Sequence, residues 1–302
     1  MPRWEVAAAA AAGLGEGPVW DDRAGCLFFV DIEQRSIHRL NPASGETGVK
    51  EVGSAVSAAI PRRDGGLVLA LADGLYFYEW DTEELRLATP LDDPLGPRQR
   101  MNDAKCDPRG RLWAGRTAAD PRAGISSLYR FGKQGAELVV PDCALANGLG
   151  WSPDGALMYF VDSRKHTVYE FDYDLDRGSM SNGRTFISVP ETDGFADGMT
   201  VDAEGFVWIA LYFGSRVQRY APDGTLADAI DFPVSKVTSV CFGGSKLTDL
   251  YVTSASMGLS AAELEDQPYA GYLFVVPDAG QGLPSVRFDP TTINPLDVRS
   301  TS

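Results

Sequence analysis

The feature that most limits what this chain folds into is a short pattern that occurs six times. Each copy has an apolar anchor residue, a short polar turn that contains Gly, and then a run of apolar and aromatic residues. In the clearest copy, Trp151 is followed by Ser-Pro-Asp-Gly and then by Ala-Leu-Met-Tyr-Phe-Val. Turn residues followed by β-branched and aromatic residues predict a turn that leads into a β-strand. The six anchors are Trp20, Ile60, Cys106, Trp151, Val201 and Cys241, separated by 40, 46, 45, 50 and 40 residues.

A further strand follows most of these apolar runs, as in Thr-Val-Tyr-Glu-Phe at residues 167–171, and it ends in another polar turn. Units of several short strands at a period of forty to fifty residues are typical of β-propeller blades. We therefore predict an all-β fold, a six-bladed β-propeller that occupies residues 1–302 as one domain. A β-sandwich does not require six copies of one pattern, and the chain has no helical hydrophobic period of convincing length.

The segment that starts at Trp4 precedes the first unit and has no repeat of its own. We predict that it forms a strand that pairs with the last blade and closes the ring, because this covers an edge that is otherwise unpaired. The alanine run that follows lacks a Leu-rich core and comes after acidic Glu5, so we expect no signal peptide. No apolar segment approaches the length of a membrane span.

Charge and cysteine content narrow the expected partners and compartment. The net charge of −15 argues against nucleic acids and anionic membrane surfaces as partners. The four cysteines are scattered, and two of them, Cys106 and Cys241, occupy anchor positions. We predict buried free thiols, which suit a reducing cytoplasm, and we expect a monomer or weak homodimer there.

Equivalent positions of the innermost strands line the channel of a propeller at one height. The residues four positions before the six anchors are Glu16, Val56, Asn102, Asn147, Asp197 and Val237. Four of these six carry a side-chain oxygen, and three of the four precede Gly, which lets neighbouring backbones approach closely. Arg100 lies two residues before Asn102 and therefore on the same face of an extended strand.

Carboxylate and amide oxygens that converge at one level form a candidate site for a divalent cation. Charges in a narrow channel repel each other unless a bound cation compensates them. Oxygen ligands favour calcium, magnesium or manganese, and carboxylates also bind zinc. Asx-Gly turns and a merely polar, wet channel are alternative explanations of each single residue, whereas four in register favour a metal.

At these positions the sequence resembles the gluconolactonase/senescence-marker-protein (regucalcin-like) family of six-bladed propeller lactonases, over nearly the whole chain. The motifs that carry the resemblance include Gly-Glu-Gly-Pro-Val-Trp at 15–20, Arg-Met-Asn-Asp at 100–103, Asn-Gly-Leu-Gly-Trp-Ser at 147–152 and Asp-Gly-Met-Thr-Val-Asp at 197–202. The resemblance implies that Glu16, Asn147 and Asp197 bind the metal. It also implies that Arg100 and Asn102 contact substrate oxygens.

The hypothesis that follows is hydrolysis of a sugar-acid (aldono-) lactone by one divalent metal ion, with calcium, zinc, manganese, magnesium and iron(II) all open. The metal polarises the carbonyl and activates water, and Asp197 is the candidate catalytic base. Relatives that act on aldonolactones often have a Glu shortly after the Ala-Gly of the third unit. This chain has Arg116-Thr-Ala-Ala-Asp120 there, so Asp120 is a candidate substitute. The alternative function is a non-catalytic calcium- or ligand-binding propeller.

Other catalytic chemistries have little support in the sequence. There is no Gly-x-Ser-x-Gly motif, and no Gly-rich phosphate loop lies between a strand and a helix. The two histidines, His38 and His166, lie in or beside predicted outer strands, away from the channel. We therefore expect packing or surface roles for both.

Overall fold

The computed structural model describes residues 3–91, 99–118 and 125–296. The strands in these ranges form six four-stranded sheets, and every pair of neighbouring strands is antiparallel. The first strand of each sheet contacts the first strand of the next, and the sixth contacts the first. The predicted six-bladed propeller is therefore confirmed.

The first three blades each contain four strands in sequence order, from the channel outwards. The first contains β2 (Gly15–Asp21), β3 (Cys26–Asp31), β4 (Ser36–Asn41) and β5 (Glu46–Glu51), the second contains β6 (Val56–Pro61), β7 (Leu67–Leu71), β8 (Gly74–Tyr78) and β9 (Leu85–Pro90), and the third contains β10 (Gln99–Cys106), β11 (Leu112–Ala118), β12 (Ser126–Gly132) and β13 (Gly135–Cys143).

The fourth and fifth blades follow the same order, whereas the sixth takes its outermost strand from the N-terminal part of the chain. The fourth contains β14 (Ala146–Trp151), β15 (Leu157–Asp162), β16 (Thr167–Asp174) and β17 (Ser179–Ser188), the fifth contains β18 (Phe195–Val201), β19 (Val207–Tyr212), β20 (Arg216–Tyr220) and β21 (Leu226–Asp231), and the sixth contains β22 (Val237–Gly243), β23 (Asp249–Ser254), β24 (Leu273–Val276) and β1 (Glu5–Ala8).

Strand β1 closes the ring as the sequence predicts. It pairs with β24 through Glu5 opposite Val275 and Val6 opposite Phe274. Trp4, just before this strand, packs edge-on against Phe274 with ring centroids 5.3 Å apart. The last blade therefore gains a fourth strand and an aromatic contact, and its outer edge is covered as the expectation required.

Helices contribute little in the described ranges. Helix α1 (Ala261–Asp266) lies between β23 and β24, and Ser260 and Glu263 form a capping box at its start. The same ranges contain three short 3-10 helices, which span Ser163–Lys165, Glu191–Asp193 and Pro290–Thr292. No helix in these ranges has the length and apolar character needed to cross a membrane.

The hydrophobic core lies between neighbouring blades. One cluster joins the second and third blades through Ile60, Val68, Met101 and Leu112, and Phe288 from the C-terminal segment packs into it. Burial of apolar surface along every blade contact holds the ring together, at roughly 25 cal/mol per Å². All four cysteines are buried and free, as predicted.

The C-terminal segment closes one end of the channel. Its backbone bonds to the fifth blade where Ala203 N donates to Gln281 O, and to the second blade where Phe288 N donates to Pro61 O. Between these two points, residues 283–286 line a cavity of about 290 Å³ at this end. A separate cavity of about 230 Å³ lies around the residues of the predicted register.

Candidate metal centre

A β-bulge occurs at the predicted register position in every innermost strand. The pairing with the second strand shifts between Glu16 and Val19, Val56 and Ala58, Met101 and Ala104, Ala146 and Leu149, Ala196 and Met199, and Val237 and Ser239. A bulge bends the strand and turns a side chain away from the regular alternation. The positions four before the anchors therefore share a backbone irregularity as well as a place in the repeat.

The four polar members of the register line the 230 Å³ cavity together with Arg100. Glu16, Asn102, Asn147 and Asp197 are each 6 to 8% exposed. The two valines of the register, Val56 and Val237, are fully buried and belong to hydrophobic clusters. The structure therefore brings together all five residues that the sequence selected.

A chain of hydrogen bonds fixes the amide side chains. Arg100 Nη1 donates to Asn102 Oδ1 at 2.8 Å, and Asn102 Nδ2 donates to Asn147 Oδ1 at 2.6 Å and to the carbonyl of Ala146 at 2.8 Å. Asn147 Nδ2 then donates to Ser163 Oγ at 2.8 Å. These contacts orient each amide, so that its oxygen and nitrogen have distinct places.

Two buried aspartates hold the loops that lead into this site. Asp31 ends the second strand of the first blade and accepts N–H bonds from Gly13 (2.7 Å) and Leu14 (3.1 Å), just before Glu16. Asp162 occupies the same place in the fourth blade and accepts from Ala144 and Leu145 (2.9 Å), just before Asn147. Both carboxylates are fully buried. The same arrangement, a buried aspartate that accepts backbone N–H bonds, therefore positions the two proposed ligands Glu16 and Asn147.

The glycines of the Asx-Gly pairs allow close approach of neighbouring strands. A Cβ added at Gly148 would lie 2.5 Å from the carbonyl oxygen of Asp197, and one added at Gly198 would lie 2.0 Å from Ser239 Oγ. No larger residue fits at either place without displacement of a neighbour. The innermost strands can therefore pack closely enough for side chains from different blades to meet.

The two carboxylates of the site are electrostatically unfavourable when both are charged. Burial, with repulsion from Asp103, raises the pKa of Glu16 from 4.5 to about 8, although the N–H of Gly17 and the charge of Arg100 oppose the shift. Burial also raises the pKa of Asp197 well above its usual value, with further contributions from Glu16 and Asp103. A positive charge in the cavity would relieve both effects.

The residues present fit a divalent cation. Two carboxylates and the amide oxygen of Asn147 are hard oxygen donors, and their burial leaves the negative charge poorly compensated. Among the described residues, no three His, Cys, Asp or Glu side chains are grouped as a metal cluster. A metal held here would therefore depend on amide oxygen as well as carboxylate.

Sequence reasoning missed several residues around the site. Asp103 affects both carboxylates although it lies outside the register, and Ser163 links Asn147 to the carbonyl of Ala196. Part of the cavity wall is apolar and consists of Leu14, Leu145, Phe195, Tyr212, Phe213 and Met257. Three of them, Leu14, Leu145 and Phe195, lie two positions before a register residue, as Arg100 does, so the repeat could have marked them. The other three lie at or after the end of a second strand and share no motif.

Three further expectations concern residues away from the cavity. His38 lies in β4, where its ring stacks on Phe29 at 4.6 Å, and His166 directly precedes β16. Neither histidine lines the cavity, which agrees with the packing or surface roles expected. Asp120 lies outside the described residues.

Comparisons with known proteins agree with this architecture. The family model described as "SMP-30/Gluconolactonase/LRE-like region" matches residues 14–256. Regucalcin of Danio rerio is 34% identical over 276 residues, which cover 90% of this chain and 93% of that protein. The putative sugar lactone lactonase YvrE of Bacillus subtilis is 35% identical over 266 residues, covering 87% and 90%.

A solved structure also resembles this chain over nearly its whole length. The calcium-binding protein regucalcin from Agrobacterium tumefaciens is 30% identical with a TM-score of 0.88, over 94% of this chain and 97% of that one. The repeat, the propeller and the sequence similarity thus converge on one assignment: the chain belongs to the SMP-30/gluconolactonase/LRE-like family of lactonase-like propellers.

Proposed function

We propose that this protein is a lactone hydrolase that depends on one divalent metal ion. The observation that carries the proposal is the pair of buried carboxylates, Glu16 and Asp197, in one cavity with Arg100. A structural role does not explain two carboxylates whose burial raises their pKa values. A site that binds a cation and a polar substrate does explain them.

In the proposal, Glu16, Asn147 and Asp197 hold the cation. When bound, the metal supplies Lewis-acid polarisation of a carbonyl oxygen and lowers the pKa of a water molecule. The oxygen donors suit calcium, magnesium and manganese, and carboxylates also accept zinc and iron(II). The similarity to regucalcins, one of which is described as calcium-binding, supports calcium as the first ion to test.

The side chains of the cavity then have separate roles in hydrolysis. Arg100 orients the lactone and offsets negative charge that develops on its carbonyl oxygen. Asn102 accepts a hydrogen bond from Arg100 and so positions its guanidinium. The second lone pair of Asn102 Oδ1 is left to contact a substrate hydroxyl oxygen. Asp197 accepts the proton of the attacking water, and the bound cation would keep its carboxylate charged by relieving the rise in pKa that burial causes.

Sugar-acid lactones are the first substrate class to test. The name of the Bacillus relative, a putative sugar lactone lactonase, supports this class. Their ring carbonyl and ring oxygen match the N–H donors of Arg100. Their hydroxyl groups match the second lone pair of Asn102 Oδ1, because both amide hydrogens of Asn102 are already donated within the protein. The volume of the cavity, about 230 Å³, lies below the usual range for drug-sized ligands and suits one ring.

The experiment is an acid-release assay on a panel of lactones, with D-glucono-δ-lactone as reference. Protein stripped with chelator is assayed alone and with calcium, magnesium, manganese, zinc or iron(II), and spontaneous hydrolysis is subtracted. We expect one or more of these ions to restore hydrolysis. Asp197→Ala should lower kcat/KM by roughly a hundredfold or more, as loss of a general base does.

Asp81→Ala is the matched control, because Asp81 is an exposed turn residue of the second blade. It should retain wild-type turnover. A fully active Asp197→Ala protein would refute the role of Asp197.

The second candidate function is a calcium-binding propeller without catalysis. The carboxylate pair and the names of the regucalcin relatives favour it as much as they favour a metal-dependent enzyme. Arg100 favours the enzyme, because cation storage has no use for a guanidinium beside the ligands. Tight calcium binding with no acid release from any lactone would establish the second candidate instead.

A further inference from the structure

The cavity around the candidate metal centre has two chemically different parts. Its floor consists of buried polar groups, namely Glu16, Asn102, Asn147, Asp197 and Ser163. Its outer part carries apolar side chains, among which Phe213 and Met257 are 56% and 37% exposed. A molecule that enters the cavity therefore meets polar atoms at one end and hydrocarbon at the other.

The outer residues come from equivalent loops of neighbouring blades. Arg164, Phe213 and Met257 each follow the second strand of the fourth, fifth and sixth blade, respectively. Arg164, on the fourth blade, is exposed and charged. Phe213 and Met257, on the fifth and sixth blades, are apolar. The hydrocarbon therefore forms a wall on one side of the cavity mouth. We call Tyr212, Phe213 and Met257 the apolar wall.

A buried lysine holds the apolar wall in place. Lys236 is 4% exposed, and its ammonium donates to the carbonyl of Met257. The same ammonium lies 5.8 Å from the ring centre of Tyr212 and 5.3 Å from that of Phe213, which are cation–π distances. Tyr212 and Phe213 also pack edge to face at 4.7 Å. One charged group thus joins the loops of the fifth and sixth blades.

The conformation of Phe213 is unfavourable for the isolated residue. Its φ angle is +64°, in the left-handed region that bulky side chains rarely adopt. The ring is nevertheless more than half exposed and fills no part of a hydrophobic core cluster. The contacts with Tyr212 and Lys236 therefore leave more than half of Phe213 uncovered at the cavity mouth, where a ligand can contact it.

We propose that the lactones hydrolysed best by this site carry an apolar alkyl or aryl substituent that lies against the apolar wall. This proposal rests on the proposed function. The carbonyl enters the polar floor, and the substituent covers Phe213 and Met257. The bond that breaks is the ring C–O ester bond, water supplies the OH of the new acid, and the ring oxygen takes the proton. The apolar wall affects which lactone binds best and leaves this reaction unchanged.

The same wall is unfavourable for a fully hydroxylated ring. A hydroxyl placed against Phe213 and Met257 gives up water and finds no donor or acceptor there. An alkyl or aryl group loses nothing at that surface and removes apolar area from water. The wall therefore gives a different ranking within lactones from the sugar-acid preference that family resemblance implies.

The test compares three lactones on the metal-loaded full chain. They are δ-valerolactone as the plain ring, δ-nonanolactone as the same ring with a butyl chain, and D-glucono-δ-lactone as the hydroxylated ring. The readout is kcat/KM from acid release, corrected for spontaneous hydrolysis. We expect δ-nonanolactone to exceed each of the other two by about tenfold or more, the scale of discrimination by a hydrophobic pocket.

Two variants make the apolar wall polar and keep the hydrogen bond from Lys236 to the backbone carbonyl of residue 257. Phe213→Asn keeps a residue type that tolerates the left-handed conformation, and Met257→Gln keeps the side-chain length. In each, the ratio of kcat/KM for δ-nonanolactone to that for δ-valerolactone should fall by about tenfold. This ratio is independent of the fraction of protein that is folded or metal-loaded. Leu226→Thr, at a 50% exposed apolar residue of β21, is the control and should keep the wild-type ratio.

The outcomes separate the two proposals. Metal-dependent hydrolysis in which D-glucono-δ-lactone is the best substrate, or in which both wall variants keep the wild-type ratio, overturns the apolar wall and leaves the lactonase intact. No metal-dependent hydrolysis of any of the three lactones overturns both. A wild-type preference for the butyl lactone that both variants lose supports the assignment.

Discussion

The side-chain amide of Asn102 donates to Oδ1 of Asn147 across 2.6 Å, and this bond joins the third and fourth blades at the floor of the cavity. Asn102 is therefore tied to a proposed metal ligand on one side and to Arg100 on the other. The bond leaves the second lone pair of Asn147 Oδ1 for a cation. It also explains why residue 102 is an amide, since a carboxylate there could not donate, and the bond from Asn147 Nδ2 to Ser163 Oγ explains the amide at 147.

Replacement of Asn102 by Asp should weaken the metal site through orientation of Asn147. The new carboxylate lacks the N–H that Asn147 Oδ1 accepts, and it places a further negative charge near Glu16 and Asp197. We expect calcium affinity and kcat/KM each to fall by tenfold or more in the chelator-stripped and reloaded protein. The pH optimum should move upwards, because added negative charge raises carboxyl pKa values. Calorimetric titration and a pH–rate profile measure both. An unchanged pH profile would mean that Asn102 does not act on the carboxylates.

Stability of the metal-free protein should fall as pH rises from about 4.5 to about 8. Across this window folded Glu16 keeps a proton that the unfolded chain releases, because its folded pKa is about 8 and its ordinary value is 4.5. Since the folded state binds more protons there, the free energy of unfolding decreases with pH. Urea unfolding with chelator, at several pH values, measures the slope. Glu16→Gln should show a smaller fall, and an equal fall would contradict the Glu16 assignment.

Asp162→Ala should destabilise the protein and weaken the metal site together. Its buried carboxylate accepts from the backbone N–H groups of Ala144 and Leu145, which lie just before Asn147. Loss of the acceptor leaves partly buried donors unpaired, at about 1 kcal/mol or more. Chemical unfolding and metal titration provide the two measurements. Asp142→Ala, an exposed aspartate of the same region, is the control and should change neither. Loss of stability with intact metal affinity would remove Asp162 from the description of the site.

Gly198→Ala should be costly because the innermost strands of the fifth and sixth blades touch at this glycine. The added methyl group would lie 2.0 Å from Ser239 Oγ and 2.8 Å from Ser239 Cα. We expect a loss of roughly 1–3 kcal/mol, the range for overpacking. Gly132→Ala, where no atom lies within 4 Å of the added group, should be neutral or slightly stabilising in the same thermal-unfolding assay. Equal melting temperatures for the two variants would show that the strands separate easily.

The repeat in the sequence was sufficient to predict the blades, the closing strand and the residues that line the channel. Its six anchors mark one structural position, so a fixed offset from them selects residues at one height, including Glu16 and Asp197. The bulges at this offset were not predictable, because a bulge depends on how two strands pair. The effect of Asp103 was missed for a similar reason, since this residue lies one position beyond the register and acts through space.

The apolar wall was beyond sequence reasoning for a different reason. Phe213 and Met257 belong to loops after the second strands, which differ in length and composition between blades. Their meeting at the cavity depends on the contacts of Lys236 with the carbonyl of Met257 and with the ring of Phe213. In the sequence, Phe213 and Met257 are distinguished only by their position after a predicted second strand. The equivalent position in the fourth blade holds a charged residue, Arg164.

The most direct test of the central claim is a titration of chelator-stripped protein with one metal, in which binding and lactone hydrolysis are measured on the same samples. Calcium and manganese are titrated separately into wild type, Asp197→Ala and the exposed-site control Asp81→Ala. We predict that hydrolysis in wild type and control rises in proportion to bound metal and reaches its maximum at one equivalent, whereas Asp197→Ala stays at background. Full hydrolysis without metal, or metal bound at one equivalent with no lactone hydrolysed, would contradict the account.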